Sequence, residues 1–286
     1  MKAVKIETLD LRPAVVLKTG HITEIIVYEW PQTCRIRRLD ADHYIRLMED
    51  TGEVYEVEHT GNRADALRRV RTSIRHVRRI INANFSGDPR REAWVTVTYA
   101  ENVRETERVY RDWKAAIRDL RKTWPDLQYI AVLEPQERGA WHIHALLKRG
   151  GGAELRGLTK KRLRDAWPHG QQVGVERVDC ADNLGAYLSA YLSNAPEPGA
   201  EAKGKCYAKG ARLHLYPPGC NFYRCSRGIQ LPEPERCTAT EAETVAASLG
   251  KPCYESVHDV MIRTPAGEDV VVQKVWIRQY NAKRQD

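Results

Sequence analysis

The chain contains 286 residues with a mass of 32.7 kDa, which allows one large domain or two modest ones. Hydrophobic residues make up 42% and charged residues 29%, a composition that excludes a disordered or collagen-like chain. No stretch approaches the roughly 18 apolar residues that a membrane helix needs, and residues 1–7 carry charges where a signal peptide would be apolar. A cytoplasmic protein is therefore expected.

Basic residues outnumber acidic residues by 46 to 38, which gives a net charge of +8 and a pI near 9.1. This excess favours a polyanionic partner. The seven cysteines are scattered and odd in number, which is typical of reduced thiols rather than a disulfide framework. Those between residues 206 and 237 include no C-x-x-C pair, so a structural zinc site is not favoured.

The N-terminal segment, residues 1–61, is predicted to be rich in β-structure. Short apolar runs alternate with turn signals such as Thr19-Gly20. The predicted strands are 14–17, 24–28, 34–38 and 44–47.

An arginine-rich helix and a linker are predicted over residues 62–88. One apolar stripe follows steps of three and four along this segment, at Leu67, Val70, Ile74, Val77 and Ile81. The other faces carry Arg63, Arg68, Arg69, Arg71, Arg75, Arg78 and Arg79. These arginines indicate either a solvated helix face or a surface for DNA phosphates. A break at residues 86–89 marks a domain boundary.

Residues 89–235 are predicted to form the principal domain. Its predicted elements are a strand at 93–99, a helix ending at 120, strands at 128–134 and 140–148, a helix at 159–167, a strand at 173–178 and a helix at 182–194. This order indicates an α+β fold with a central, mainly antiparallel sheet and flanking helices. Residues 236–286 are predicted to be an extension, with a helix at 239–249 and a hairpin of 257–262 with 269–280.

The sharpest local motif is the H-x-H sequence of His142 and His144. Alternate residues of a strand share a face, so both imidazoles point the same way and could hold a divalent cation. The motif alone is weak, because histidine pairs are common on surfaces. Glu134 strengthens it, since an even register across the five-residue connection puts Glu134 opposite Ala140 or His142.

Two histidines and a glutamate suit Mg²⁺ or Mn²⁺ with positions left for water and substrate oxygens. Imidazole ligands favour Mn²⁺ and cellular availability favours Mg²⁺, so both ions stay open. Gln136 and Glu137 are rival third ligands in the predicted turn.

Tyr187 and Tyr191 lie four residues apart on a predicted helix and therefore on one face. This spacing is usually a packing feature, and Leu184, Leu188 and Leu192 supply a neighbouring apolar stripe. A phenol is nevertheless a competent nucleophile towards a phosphodiester when a metal ion polarises the phosphate.

Three segments resemble, in order and spacing, the motifs of HUH endonucleases. More narrowly, they resemble those of rolling-circle replication initiators of plasmids, phages and integrative elements. The segments are WVTVTYAEN (94–102), LEPQERGAWHIH (133–144) and YLSAY (187–191). The resemblance covers residues 92–195, and residues 44–85 and 225–229 are similar to flanking segments of the family. It implies the HUH endonuclease fold, whose palm is RRM-like.

The resemblance also implies a nickase for single-stranded or hairpin origin DNA. Glu134, His142 and His144 would hold the Mn²⁺ or Mg²⁺ ion. Tyr187 would form a 5′-phosphotyrosine link and release a free 3′-hydroxyl that primes synthesis, and Tyr191 would act in a second cleavage.

One feature departs from the family pattern. The family usually has lysines three residues after each tyrosine, and here Ala190 and Asn194 occupy those positions. The basic side chains of Lys203, Lys205 or Lys209 could substitute only if their loop folds back.

Further basic residues and partners complete the prediction. The basic helix after Thr159 adds Lys160, Lys161 and Arg162 to the predicted DNA contacts. Residues 199–206 match the P-loop spacing but end in cysteine and follow no strand, so nucleotide binding is not favoured. Dependence on a host helicase and a host polymerase is therefore expected.

Several other classes of protein fit parts of the pattern. A 2H-type phosphoesterase needs two His-x-Thr/Ser units, and only His21-Ile22-Thr23 provides one. A DNA-binding regulator without enzymatic activity would use the arginine helix alone. A transposase of the HUH class would look similar, whereas relaxases usually place a histidine cluster and their tyrosine in the opposite order.

Overall fold

The computed structural model describes the greater part of the chain. The described residues are 9–29, 34–38, 43–48, 54–58, 67–136, 138–170, 172–178, 185, 216, 220–221, 223–263 and 269–284. The predicted helix at 182–194, the P-loop-like residues and Arg63 fall outside them, apart from Gly185.

The predicted strands and helices within the described residues occur in the predicted chain order. The strands are β1 (Pro13–Thr19), β2 (Ile22–Tyr28), β3 (Cys34–Arg38), β4 (His43–Met48), β5 (Val54–Glu58), β6 (Glu92–Thr98), β7 (Leu127–Pro135), β8 (Trp141–Arg149), β9 (Val173–Arg177), β10 (Tyr223–Cys225), β11 (Glu235–Thr238), β12 (Tyr254–Arg263) and β13 (Asp269–Asn281). The helices are α1 (Leu67–Asn84), α2 (Thr106–Leu120), α3 (Lys160–Ala166) and α4 (Ala239–Ser248). Each predicted element within the described residues is present, and β5, β10 and β11 are additional strands.

The central sheet has the strand order β10-β7-β8-β6-β9, and all its pairs are antiparallel. This arrangement, with helices packed on the sheet, confirms the predicted α+β fold. It is consistent with an HUH or RRM-like palm.

One face of the central sheet packs against α2. Trp113 of α2 lies edge-on to Tyr129 of β7, with 5.5 Å between ring centroids. The apolar residues Val109, Trp113, Ala116, Ile117 and Leu120 of α2 recur with helical spacing and are all buried. α3 follows α2 on this side, and Arg162 of α3 binds Asp119 of α2, with Nη1 2.7 Å from Oδ2.

The opposite face of the central sheet packs against α1. Lys148 of β8 donates from Nζ to the carbonyl oxygen of Asn84 at 2.7 Å, and His76 lies 6.2 Å from Tyr223 of β10 between ring centroids. Val77 and Ile80 of α1 are fully buried. His144 is four residues before Lys148 on β8, so it lies on the same face as α1.

A second sheet joins strands from both ends of the chain, in the order β11-β1-β2-β13-β12. β2 pairs with β13, so that Ile26 lies opposite Ile277. Helix α4 packs on one face of this sheet through Ala242 and Ala246, whose small side chains allow a close approach. β3, β4 and β5 form a third, three-stranded sheet.

The chain divides into two compact units, residues 1–60 with 232–286 and residues 61–231. The sequence patterns predict residues 1–61 and 236–286 as separate segments, whereas strands from these two segments pair in the structure. The arginine helix and the principal domain are also predicted as separate parts, whereas both lie in the second unit. These pairings join residues far apart in the chain, which local patterns do not reveal.

None of the described helices is long and apolar enough to cross a membrane. Cys220, Cys225, Cys237 and Cys253 form no disulfide bond with one another.

Candidate active site

The two histidines of the H-x-H motif lie near the start of β8, between β7 and β6. His142 pairs with Glu134 on one side and with Thr98 on the other, and His144 pairs with Thr96 in the next row. Because side chains alternate along a strand, these residues share one face of the sheet. The predicted even register is thus confirmed, with Glu134 opposite His142.

Glu134 and His144 are in direct contact across this face. Nε2 of His144 lies 2.9 Å from Oε2 of Glu134, and the two side chains are only 13% and 24% exposed. The residues belong to adjacent rows of the sheet, where diagonal neighbours are within reach of long side chains. A carboxylate and an imidazole therefore meet at one point on the sheet.

The ring of His144 is held on its other sides as well. Its Nδ1 lies 3.0 Å from Oγ1 of Thr96, and its plane stacks on Trp94 with a centroid distance of 5.3 Å and an angle of 14°. The ring of His142 stacks on that of His144, with 5.7 Å between the centroids and an angle of 17° between the planes. A hydrogen bond to the second ring nitrogen commonly orients metal-binding histidines, so Thr96 occupies the place of such an orienting group.

Glu134 and His144 have the separation of two neighbouring ligands of an octahedral cation. Metal–ligand distances of about 2.1 Å place adjacent ligands about 3.0 Å apart, close to the observed 2.9 Å. Within the described ranges, however, no three His, Cys, Asp or Glu side chains are arranged to hold a metal ion. The contact between Glu134 and His144 is compatible with two adjacent ligands, and a metal site formed by Glu134, His142 and His144 stays a prediction.

Gln136, one of the two rival ligands, makes a hydrogen bond within the turn between β7 and β8. Its side-chain oxygen accepts a hydrogen bond from Nε of Arg138 at 2.8 Å. Glu137 lies outside the described residues. The same turn contains Gly139 at a φ of +85°, a left-handed conformation that favours glycine.

The end of β6 is fixed by the segment that precedes β9. Nε1 of Trp167 donates to the carbonyl oxygen of Thr98 at 2.8 Å, and Oγ1 of Thr98 donates to the carbonyl oxygen of Gln172 at 2.9 Å. A Cβ atom at Gly170 would lie 2.1 Å from the carbonyl oxygen of Thr98. Glycine is therefore required at 170 for this close approach.

The predicted nucleophiles Tyr187 and Tyr191 lie outside the described residues. Gly185, which precedes Tyr187 by two residues, has helical backbone and is buried. Its amide donates to Oδ1 of Asn82 on α1 at 2.8 Å.

Tyr99 is a tyrosine of the same unit that is unsuited to act as a nucleophile. It lies on the opposite face of the sheet, and its hydroxyl donates to Oδ2 of Asp112 at 3.0 Å. Burial, together with the negative charge of Asp112, raises the pKa of Tyr99 far above its ordinary value. The phenol therefore stays protonated.

The predicted DNA-binding arginines fall on the helix that shares the histidine face. Arg68, Arg69 and Arg71 lie on α1, Arg75 is exposed, and Arg78 and Arg79 are half-buried. Helix α1, which carries these arginines, thus packs on the same sheet face as the Glu134–His144 pair.

The basic residues of α3 have a different location. Because α3 packs on α2, Lys160, Lys161 and Arg162 lie on the side of the sheet opposite the histidines. Arg162 binds Asp119, and Lys161 binds Asp165 at 2.9 Å, while Lys160 is exposed. The structure does not bring these residues together with the histidine pair.

Three contributors to the candidate site are not identified as such from the sequence. Thr96 lies within the WVTVTYAEN segment, and alternation along β6 could have indicated that it faces His144. Trp94 shares that alternation. The contact of Asn82 with Gly185 joins residues 103 positions apart, and no local signal predicts it.

The fold and the site together define an antiparallel α+β domain with a glutamate and a histidine pair on one sheet face. Residues 92–196 match a family model described as Replication-associated protein ORF2. The matched segment begins at β6 and includes Glu134, both histidines and both predicted tyrosines. This match confirms the resemblance to replication-associated proteins. No curated protein and no solved structure matches the chain.

Proposed function

We propose that this protein is a rolling-circle replication initiator that nicks and rejoins single-stranded DNA at an origin. The observation that carries the proposal is the contact of His144 with Glu134, within a segment that matches a replication-associated family. The tyrosines of the YLSAY sequence lie in the same matched segment. The arginine-rich helix α1 packs on the same sheet face and would supply the positive charge that binding of a phosphate backbone requires.

The proposed reaction is a transesterification. The hydroxyl oxygen of Tyr187 forms a bond to the scissile phosphorus, and the bond from that phosphorus to the 3′-oxygen of the upstream strand breaks. The tyrosine loses one proton and the departing 3′-oxygen gains one, so the step needs no further reactant. The phosphotyrosine link retains the phosphodiester, which allows the reverse reaction to rejoin the strand.

The described side chains of the candidate site have distinct roles in this proposal. Glu134 and His144 would hold a Mn²⁺ or Mg²⁺ ion, with His142 as the predicted third ligand. Thr96 and Trp94 orient the His144 ring. When bound, the cation would polarise the scissile phosphate and stabilise the charge that develops during transfer.

The test of this function is cleavage of single-stranded oligonucleotides that span the origin of the protein's own replicon. The purified protein with Mn²⁺ should release a free 3′-hydroxyl strand and retain the other strand covalently. Cleavage restricted to the ends of a mobile element would assign the same chemistry to a transposase. Binding without any cleavage would favour a DNA-binding regulator.

A further inference from the structure

Helix α1 makes a contact that none of the roles above uses. Asn82, at its C-terminal end, is 3% exposed, and its Oδ1 accepts the amide hydrogen of Gly185 at 2.8 Å. A buried backbone amide that lost this acceptor would be costly to leave unsatisfied. The contact therefore ties the segment around residue 185 to α1.

Gly185 also fits against α1 without room for a side chain. A Cβ atom there would lie 2.5 Å from the carbonyl oxygen of Arg78 and 2.6 Å from Oδ1 of Asn82. Both distances are shorter than a carbon atom tolerates, and the carbonyl is part of the helical backbone. Glycine is thus required by close approach at this position.

The helix that receives Gly185 is itself fixed to the strand that carries the histidines. Nζ of Lys148 donates to the carbonyl oxygen of Asn84, and the ammonium group lies 5.3 Å from the ring centroid of Phe85. Lys148 and His144 are four residues apart on β8, about 13 Å along the strand. Helix α1 therefore contacts both the strand that carries His144 and the backbone of Gly185.

We propose that Asn82 and Gly185 are positioning residues that set the distance between Tyr187 and the Glu134–His144 pair. Two residues of chain span at most about 7 Å between Cα atoms, so anchoring Gly185 restricts where Tyr187 can lie. This inference rests on the proposed function. It assigns to α1 a second task, support of the nucleophile, beside its predicted contact with DNA.

The test compares Asn82→Ala and Gly185→Ala with the wild-type protein on a single-stranded origin oligonucleotide. With enzyme in excess, the single-turnover rate of adduct formation should fall about 10- to 100-fold, because displacements near 1 Å can cost that much. The dissociation constant for DNA and the affinity for Mn²⁺ should stay at their wild-type values. A loss of general stability would not separate rate from binding in this way.

Asn84→Ala is the matched control on the same helix. The Asn84 side chain bonds to the backbone of Gln230 at 2.7 and 2.9 Å and does not contact Gly185. Its rate should stay close to that of the wild type at a temperature where all variants are folded. Hydrogen exchange at the amide of Gly185 should accelerate in Asn82→Ala and not in Asn84→Ala.

The outcomes separate the two proposals. If the wild type forms no adduct, the proposed function fails and the positioning role with it. If the wild type forms the adduct and Asn82→Ala matches its rate, the positioning role alone is overturned. Unchanged exchange at Gly185 in Asn82→Ala would overturn it as well, even if Gly185→Ala does not fold.

Discussion

His144 contacts several other side chains of the candidate site. It touches Glu134, Thr96 and Trp94, and it shares a strand face with His142. These contacts explain why the ring has one defined orientation. They also make His144 the residue at which metal binding is tested most simply.

We expect His144→Ala to abolish both Mn²⁺ binding and DNA cleavage, because it removes one of two side chains at ligand separation. Binding of single-stranded DNA should persist, since phosphate contacts elsewhere dominate affinity. Calorimetric titration with Mn²⁺ and a cleavage assay measure the two effects. His258→Ala, at an exposed histidine of the other unit, is the control. Full cleavage in EDTA would contradict a metal-dependent mechanism.

Thr96 should affect the metal through His144 alone. Loss of its hydroxyl in Thr96→Val should weaken Mn²⁺ binding about 10- to 100-fold, the usual effect of removing an orienting partner. Thr96→Ser keeps the hydroxyl and should bind Mn²⁺ nearly as well as the wild type. Thr98→Val is a second control, since the Thr98 hydroxyl donates to the backbone of Gln172. Equal affinities of all three variants would show that the ring needs no partner on Nδ1.

Helix α1 is the element that combines structural and electrostatic features. Its apolar residues are buried against the sheet, while arginines occupy its other positions. The alternating steps of three and four predict both properties, because helical periodicity is local information. The face of the sheet on which α1 packs depends on tertiary contacts, which the sequence pattern does not contain.

Replacing Arg68, Arg71 and Arg75 simultaneously by glutamine should weaken binding to all DNA sequences alike. The slope of log K against log salt should flatten by up to about 0.9 per lost phosphate contact on duplex DNA and about 0.7 on single strands. Fluorescence anisotropy at several salt concentrations provides the measurement. The double variant Lys160→Gln and Lys161→Gln, on the other side of the sheet, is the comparison. An unchanged slope in the α1 variant would assign the helix to packing only.

At the scale of the whole molecule, all described parts of the candidate site lie within one unit. Residues 61–231 contain the central sheet and the apolar cluster around it. The other unit has its own sheet and its own buried residues. The described residues of the candidate site and the terminal sheet therefore belong to different units.

A fragment of residues 61–231 should consequently fold and cleave single-stranded origin DNA at a rate close to that of the full chain. Circular dichroism and the cleavage assay test both statements. Removal of residues 269–286 from the full chain should disrupt the terminal sheet, because β13 lies between β2 and β12. A fragment that is folded but inactive would place an essential part of the site in residues 1–60 or 232–286.

How far the sequence predicts the molecule depends on the range of the contacts. The common face of His142 and His144 follows from alternation along a strand, and the short turn limits the register with Glu134. The pairing of β2 with β13 joins residues about 250 positions apart in the chain, and its register is set by tertiary packing. Chain order alone therefore suggested separate terminal segments.

The most direct test of the central claim is mass spectrometry of the protein after reaction with a single-stranded origin oligonucleotide and Mn²⁺. We expect a 5′-phosphotyrosyl adduct on Tyr187 that is lost in Tyr187→Phe and in EDTA. Tyr187 lies one turn nearer the N-terminus of the predicted helix, where the dipole favours a phenolate by at most about 1 kcal/mol. An adduct found only on Tyr191 would reverse the assignment of the two tyrosines. The absence of an adduct on either tyrosine would contradict the proposed nickase function.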